Sequence, residues 1–472
     1  MNQQTETLPI KDVHVKSRMP HPIMMMLLII LVAAGLTYVL DSGEFQRSGH
    51  MVVPGTYKTL DKTRDLHSLF EPAPAKSDGG KAYPASVVSA MVAIPNGLVK
   101  SASLVFMVMF IGGMFGVLRK TGALDAGIDR LLALTRGNVY ALAPILMFAI
   151  ACGSTFLGLI SEYLVIIPMV LMLAERLRLR PLFATALVAI AAKIGYLASV
   201  TNPLALLVAQ PLVQVPPLSG AGLRAAIFVL YLVIGIAYLL LHVKKTGYTI
   251  PADLDYGSKL STRHVLVLAV LGASVAGLVL GTSRSHWGNP QLGAYYIFVG
   301  MLIAVIARMS AREASEAFIE GMKGMMLGGL LIGLAKAVEI ILDESRVLDT
   351  VIYQLASLVE GHSPSLAAQG MVAVEMVLDV LIPSTSGKAA ISMPILGPIG
   401  HLAGISGQTV VLAFLFGNGL TNMVTPTSGM LLAYLATGRV SFSAWLRFIL
   451  PLFCILTALS MVMMVVAVQI GY

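Results

Sequence analysis

IPSTSGK (382–388) and TNMVTPTSG (421–429) are two polar, proline-bearing stretches set inside long apolar sequence. Proline removes a backbone donor and clashes with the preceding turn, so neither stretch continues a helix undisturbed. In lipid, backbone freed in this way survives only where it is buried in protein or lines a cavity. The composition makes lipid the relevant solvent: 57% of the 472 residues are hydrophobic and 12% are charged, whereas about a quarter are charged in soluble domains. Mean hydropathy is +0.84.

Working back toward the N-terminus, the same pattern occurs once more. Gly153-Ser154-Thr155 separates two apolar arms, 138–152 and 163–174, and Ser199-Val200-Thr201-Asn202-Pro203 interrupts the apolar run 181–212. Spanning helices need about 20 residues, so each arm is short for a crossing. Arg119, Lys120, Arg130 and Arg136 precede the first arm, and Arg176, Arg178 and Arg180 follow the second. Both ends are then cytoplasmic by the positive-inside rule, and 138–174 reads as a re-entrant hairpin. A second hairpin, 366–403, has arms at 366–382 and 389–403. Its flanks (Glu360, His362, His401, Gln408) are poor in Lys and Arg, as expected on the outer side. Each hairpin leads into a discontinuous helix, 181–212 and 408–437. Each is preceded by a span and an amphipathic stretch (122–134, 347–359) and followed by one more span. The sequence therefore predicts an all-α polytopic membrane protein of two inverted repeats, each with a re-entrant hairpin and a discontinuous helix.

Nine crossings are expected: 22–40, 101–118, 181–212, 223–243, 264–282, 292–308, 324–342, 408–437 and 448–469. The organisation is then a cytoplasmic tail (1–21), a first helix (22–40) and a periplasmic loop with an interfacial segment (41–100). Repeat 1 (101–245), a connecting loop with two linking helices (246–323) and repeat 2 (324–472) follow. Lys11, Lys16 and Arg18 before the first helix put the N-terminus in the cytoplasm, and an odd number of crossings puts the C-terminus in the periplasm of an inner membrane. The net charge of +8 belongs to short loops, which fits membrane topology rather than nucleic acid. Cys152 and Cys454 lie in apolar sequence and indicate neither a disulfide framework nor a metal site.

The chemistry is expected where the breaks converge. The hairpin tips offer Ser154, Thr155, Ser384, Thr385 and Ser386, and the broken helices offer Thr201, Asn202, Pro203, Thr421, Asn422, Thr425, Thr427 and Ser428. Free N–H groups at half-helix N-termini suit a carboxylate. Unwound carbonyls with side-chain oxygens suit sodium, for which Asn202, Ser384, Asn422 and Thr425 are candidate ligands; the coupling ion is expected to be sodium or a proton. Any single Ser or Thr is better explained by close helix packing. Four clusters at matching positions of a repeat favour a site. Ionisable residues near these elements are Glu162, Lys193, Lys336, Glu339, Glu375, Asp379 and Lys388, and charge inside a membrane is a functional candidate unless it snorkels. Lys388 either meets a substrate carboxylate, stands in for a coupling cation, or pairs with Asp379. Glu162 either carries a proton or recognises an amine, or pairs with a basic neighbour. STSGK (384–388) is no phosphate loop, since the first glycine is missing and Ala389 replaces the magnesium-binding hydroxyl. No hydrolase motif is present, so no enzyme and no cofactor are expected.

IPSTSGKAAISMPILGP (382–398), FGNGLTNMVTPTSGMLLA (416–433), GGMFGVLRKTGALDAGI (112–128), TNPLALLVAQ (201–210), VPPLSGAGLR (215–224), SGEF (42–45) and VVPGTY (52–57) run along almost the whole chain. Through them the sequence resembles the DcuC-like (YfcC) family of anaerobic C4-dicarboxylate carriers, within the ion transporter superfamily. The resemblance implies a secondary carrier of dicarboxylates or of basic amino acids such as arginine and ornithine. It also implies substrate sites at the hairpin tips, a homodimeric scaffold and an elevator-like movement of the hairpin domain. GSTFLGLISEY (153–163) has one acid, Glu162, where the family has a Gly-rich tip with a Glu pair, and Lys388 stands where the family usually has Gln. One acid fewer and one base more lean the expectation toward an anion or zwitterion. The expected function is thus alternating-access transport of a small carboxylate-bearing metabolite, ion-coupled or exchanging. The alternatives are a basic amino acid antiporter and, from other classes, a channel or an intramembrane enzyme.

Overall fold

The computed structural model describes residues 22–48, 51–53, 55–62, 70, 81–249, 261–285 and 287–472. The expected tail (1–21) and part of the expected connecting loop (250–260, 286) lie outside the described residues. The N-terminal third contains α1 (Pro22–Val39), α2 (Val87–Lys100), α3 (Ala102–Lys120) and α4 (Ala123–Thr135). It also contains five short strands, β1 (Ser42–Glu44), β2 (Arg47–Ser48), β3 (Met51–Val52), β4 (Lys58–Lys62) and β5 (Lys81–Ala82). The strands correct the all-α expectation: β1 and β4 pair antiparallel with Ser42 opposite Leu60, β5 joins β4 in parallel, and β2 pairs with β3. Next come α5 (Val139–Leu157), a 3₁₀ turn (Ser161–Leu164), α6 (Ile166–Arg176), α7 (Pro181–Ala198), α8 (Pro203–Leu212) and α9 (Ala221–Lys245). Then follow α10 (Thr262–Ser285), α11 (Asn289–Ile306), α12 (Ala311–Glu344) and α13 (Leu348–Ser357). The chain closes with α14 (Pro364–Leu381), α15 (Thr385–Leu402), α16 (Gly407–Thr421), α17 (Gly429–Thr437) and α18 (Phe442–Gln469).

Among the described residues, eight helices are long and apolar enough to cross a membrane: α3, α5, α7 with α8, α9, α11, α12, α14 and α18. The set departs from the nine expected crossings. It includes α5 and α14, whose 19 and 18 residues exceed the arms read from sequence. It omits 408–437, which divides into α16 and α17 of 15 and 9 residues. Residue 323, the expected end of the linking segment, falls inside α12. That helix starts at a capping box, with Ser310 Oγ accepting from Glu313 N at 3.2 Å and Glu313 Oε2 from Ser310 N at 3.0 Å. Reciprocal capping satisfies two orphan donors and fixes a helix start wherever the pattern falls.

The helices sort into two packing groups. In one, α12 lies against α1, α2 and α3, with α11 on the far side of α3 and α10 against α4 and α11. In the other, α5, α6, α9 and α16 surround α7, while α14, α15 and α18 pack around α16. Every residue from Phe183 to Ala198 of α7 and from Thr409 to Thr421 of α16 is buried. A helix apolar on all sides belongs in such a core. Outer faces instead carry exposed Val229, Val233 and Leu241 on α9 and Leu450, Ile455 and Val462 on α18, the continuous apolar surface that lipid covers. α17 packs on both α12 and α7 and joins the groups.

The strands clamp the α12–α13 corner. Asp349 accepts from Phe45 N at 3.1 Å and from Arg47 at 2.7 Å, Arg346 donates to Glu44 at 2.9 Å, and Tyr57 stacks on Tyr353 at 4.2 Å. The Asp349 carboxylate is buried, so its removal orphans a buried N–H and one arm of the clamp. Asp349→Ala should cost about 2 kcal/mol of stability, read as a lower melting temperature of the purified protein, with the helical content unchanged.

Candidate functional site

α7 ends at Ala198 because Ser199 turns into the left-handed region (φ 41°) and its hydroxyl donates to Tyr196 O. Pro203 then opens α8 at a position where its missing N–H removes nothing the helix uses. Asn202 caps that helix: its Oδ1 accepts from Leu204 N at 3.0 Å and its Nδ2 donates to Ser199 Oγ at 3.1 Å. Gly153-Ser154-Thr155, expected as a hairpin tip, instead lies inside α5, and that helix is sewn to this break. Ser154 Oγ donates to Ala192 O at 2.7 Å, Thr155 Oγ1 accepts from Val200 N at 3.0 Å, and Thr201 N donates to Thr155 O at 3.1 Å. Gly158 ends α5 at φ +73°, and a Cβ there would lie 2.5 Å from Asn202 Oδ1. Gly158→Ala combines backbone strain with displacement of the α8 cap, each about 1 kcal/mol or more. Transport should fall about tenfold while the protein elutes as a folded species; unchanged initial rates would separate Gly158 from the site.

Glu162 lies in the 3₁₀ turn that follows α5. Its Oε2 accepts from Ile160 N at 2.9 Å, whose own carbonyl accepts from Tyr434 of α17. No ion pair of Glu162 with a base is present among the described residues.

The second pair of breaks is more densely connected. Ser384 caps α15, accepting from Gly387 N at 3.3 Å, and Ser428 caps α17, accepting from Leu431 N at 3.3 Å. Asn422 Nδ2 donates to Asp379 Oδ2 at 2.6 Å and to Asn418 Oδ1 at 3.0 Å, while its Oδ1 accepts from Ser428 Oγ at 2.6 Å. Thr421 donates to Met376 O and Thr427 to Val380 O, at 3.2 and 2.8 Å, and Thr425 and Thr427 share a hydrogen bond of 2.7 Å. Ser386 is exposed at the tip. Lys388 sits 3.2 Å from both Glu375 Oε2 and Asp379 Oδ1, with all three side chains buried.

Thr385 links the halves: Tyr196 of α7 shares a hydrogen bond of 2.6 Å with Thr385 Oγ1, and Asn418 Nδ2 donates to both, at 2.9 and 3.1 Å. One polar chain therefore runs from α7 through the second tip to Asn418, Asn422, Asp379 and Ser428. None of these bonds joins Ser154 or Thr155 to the 383–388 turn, and of the four candidate sodium ligands Asn202, Ser384 and Thr425 are engaged within their own breaks, whereas Asn422 reaches Asp379 of α14. Sequence reasoning missed Tyr196 and Asn418, which sit within helices; it named Glu375 and Asp379 as ionisable candidates and gave the Lys388–Asp379 pairing as one reading, and that pair is present. The spacing Asn418–Asn422 on one face of α16 was an available signal. Lys336 and Glu339 instead form a local pair on α12 at 2.6 Å. A cavity of about 1050 Å³ opens between α3, α12, α6 and α17, lined among others by Arg119, Glu175, Glu320 and Arg439; none of the expected site residues lines it.

Three comparisons bear on identity. The chain is 30% identical over 397 residues to an Escherichia coli K12 protein named "Putative basic amino acid antiporter YfcC", covering 79% of this chain and 78% of that one. It is 25% identical over 490 residues to an uncharacterized Haemophilus influenzae protein, covering 94% and 95%. Among solved structures, the Alcanivorax borkumensis YdaH transporter aligns with a TM-score of 0.45 at 18% identity, over 96% of this chain and 99% of that one, too loose a likeness to carry an argument. Residues 19–469 match the family described as C4-dicarboxylate anaerobic carrier, DcuC. With apolar helices enough for a multi-pass membrane protein and a match along almost its whole length, the chain belongs to the C4-dicarboxylate anaerobic carrier family and is a transporter, not an enzyme.

Proposed function

We propose that the chain is a secondary active transporter of the inner membrane that moves a small carboxylate-bearing metabolite, a C4-dicarboxylate or an amino acid, by an elevator-like alternating-access mechanism. The observation that carries this reading is the polar chain from Tyr196 through Thr385 and Asn418 to Asn422 and Asp379, held inside helices that are otherwise apolar. Polar groups at such depth are costly unless they serve one another or a ligand. In this reading α5–α6 and α14–α15 are re-entrant hairpins of two inverted repeats, and Ser154, Thr155, Thr201, Asn202, Ser384, Thr385, Ser386, Thr421, Asn422, Thr425, Thr427 and Ser428 surround the pocket. The capped N-termini of α8, α15 and α17 favour a carboxylate by their partial positive charge.

The group built on α12 is the scaffold, with a second copy as dimer partner, and the group around α7 and α16 moves against it; the cleft between α3, α12, α6 and α17 supports such a division. A basic amino acid antiporter is the second reading, favoured by Glu162, whose carboxylate meets a turn amide and, among the described residues, no base, and by the name of the Escherichia coli relative. Counterflow into proteoliposomes decides between them. Dicarboxylates, arginine, ornithine, neutral amino acids and short peptides are each preloaded, and labelled solute should accumulate transiently for one class. Failure of every solute, or flux without transient accumulation, would overturn the transporter reading in favour of inactivity or a channel.

A further inference from the structure

We propose that Lys388 is a tethered cation, its ammonium filling the place of a monovalent coupling ion, so that this chain exchanges substrates without sodium. The proposal rests on the reading of these breaks as the transport pocket. Lys388 Nζ is surrounded by Glu375 Oε2 and Asp379 Oδ1, both at 3.2 Å, the Glu375 backbone carbonyl at 3.4 Å, and the ring of Phe414 at 4.9 Å. Two carboxylates, a carbonyl and an aromatic face form a cation-binding set. Neither Glu375 oxygen nor Asp379 Oδ1 has a hydrogen-bond partner among the described residues, so the ammonium charge is what compensates them.

The other groups around this set do not replace it. Asn422 occupies the opposite oxygen of Asp379, while Asn418 and Tyr196 bond each other and Thr385. Lys193, buried on α7, makes no ion pair within 4 Å among the described residues. Without the Lys388 ammonium, three buried anionic oxygens would face one another beside the C-terminal ends of α14 and α16, where helix dipoles also favour a cation. A free ion transfers the energy of its gradient by binding on one side and leaving on the other. An ammonium on a four-carbon stem travels with the protein and returns with it, so it neutralises the site and delivers no gradient energy.

The test uses the purified full chain in two assays. In detergent, the wild-type melting temperature should be the same in sodium, potassium and choline chloride at equal ionic strength, whereas Lys388→Met and Lys388→Gln should gain stability saturably with sodium. In proteoliposomes, wild-type counterflow should be indifferent to sodium, and the Lys388 variants should lose roughly tenfold when choline replaces it. Should Lys388→Met not fold, the double variant E375Q/K388M keeps one carboxylate and serves in both assays. Sodium-dependent melting or counterflow of the wild type overturns the proposal, as does a folded Lys388 variant that ignores cations. Failure of the transport reading shows separately, as wild-type protein that counterflows nothing, and the melting assay still decides the tethered cation.

Discussion

Asn422→Ala is expected to lower substrate counterflow roughly a hundredfold while the protein stays folded and membrane-inserted. The amide donates to Asp379 Oδ2 at 2.6 Å and accepts from Ser428 Oγ at 2.6 Å. Alanine therefore leaves one oxygen of a buried carboxylate without a donor and frees the residue that caps α17. A hydrogen bond to a charged group contributes about 1.5–3 kcal/mol, and each 1.4 kcal/mol is a factor of ten in binding. Asn422→Asp should be worse, because it sets a second anion against Asp379. Thr201→Ala provides the contrast: its hydroxyl makes one bond, to Phe156 O at 3.3 Å in an exposed position, and a change of severalfold at most is expected. Initial rates normalised to reconstituted protein measure all three. Wild-type rates for Asn422→Ala would remove this residue from the pocket.

Gly321→Val should prevent folding. α3 and α12 meet through small residues, and a Cβ on Gly321 would sit 2.0 Å from Gly112 O and 3.0 Å from Gly116 Cα. Those are backbone atoms, so no rotamer change relieves the clash, and the two helices would have to separate along their length. Overpacking typically costs 1–3 kcal/mol when side chains can yield; with backbone on both sides the cost should exceed about 4 kcal/mol. Gly324, one turn further along α12, has open space at its Cβ position, and Gly324→Val should fold normally. Fluorescence-detected size-exclusion chromatography separates the outcomes: an aggregated or absent peak for Gly321→Val and a monodisperse peak for Gly324→Val. A monodisperse Gly321→Val protein with unchanged melting temperature would mean that α3 and α12 are not packed this closely.

The interruptions themselves were readable in one dimension. Proline, a side-chain cap and a run of polar residues act within a few positions of the chain. Ser199 to Pro203 and Asn422 to Gly429 therefore announce a helix end and a new start without reference to anything else. The turn expected at 153–155 was less legible: Val139–Leu157 continues through Gly153-Ser154-Thr155 as one helix, because Ser154 is held by the α7 backbone and Thr155 by Val200 of the following break rather than by a turn of their own. The strand clamp was hidden for a related reason. Two- and three-residue strands carry no periodicity, and what holds them is Asp349, about 300 positions away in sequence.

By itself the sequence determined a bilayer solvent, the family and the three breaks marked by proline, at 199–203, 383–388 and 421–429, since hydropathy, proline and motif are properties of neighbouring residues. Only the tertiary structure decided which polar groups meet. Tyr196 reaches Thr385 and Asn418, and Lys388 is enclosed by Glu375 and Asp379, because α7, α14 and α16 pack as an apolar core that brings these side chains within hydrogen-bonding and ion-pairing distance. Such a meeting depends on how helices cross, and that is fixed by the shapes of whole buried surfaces rather than by any local pattern.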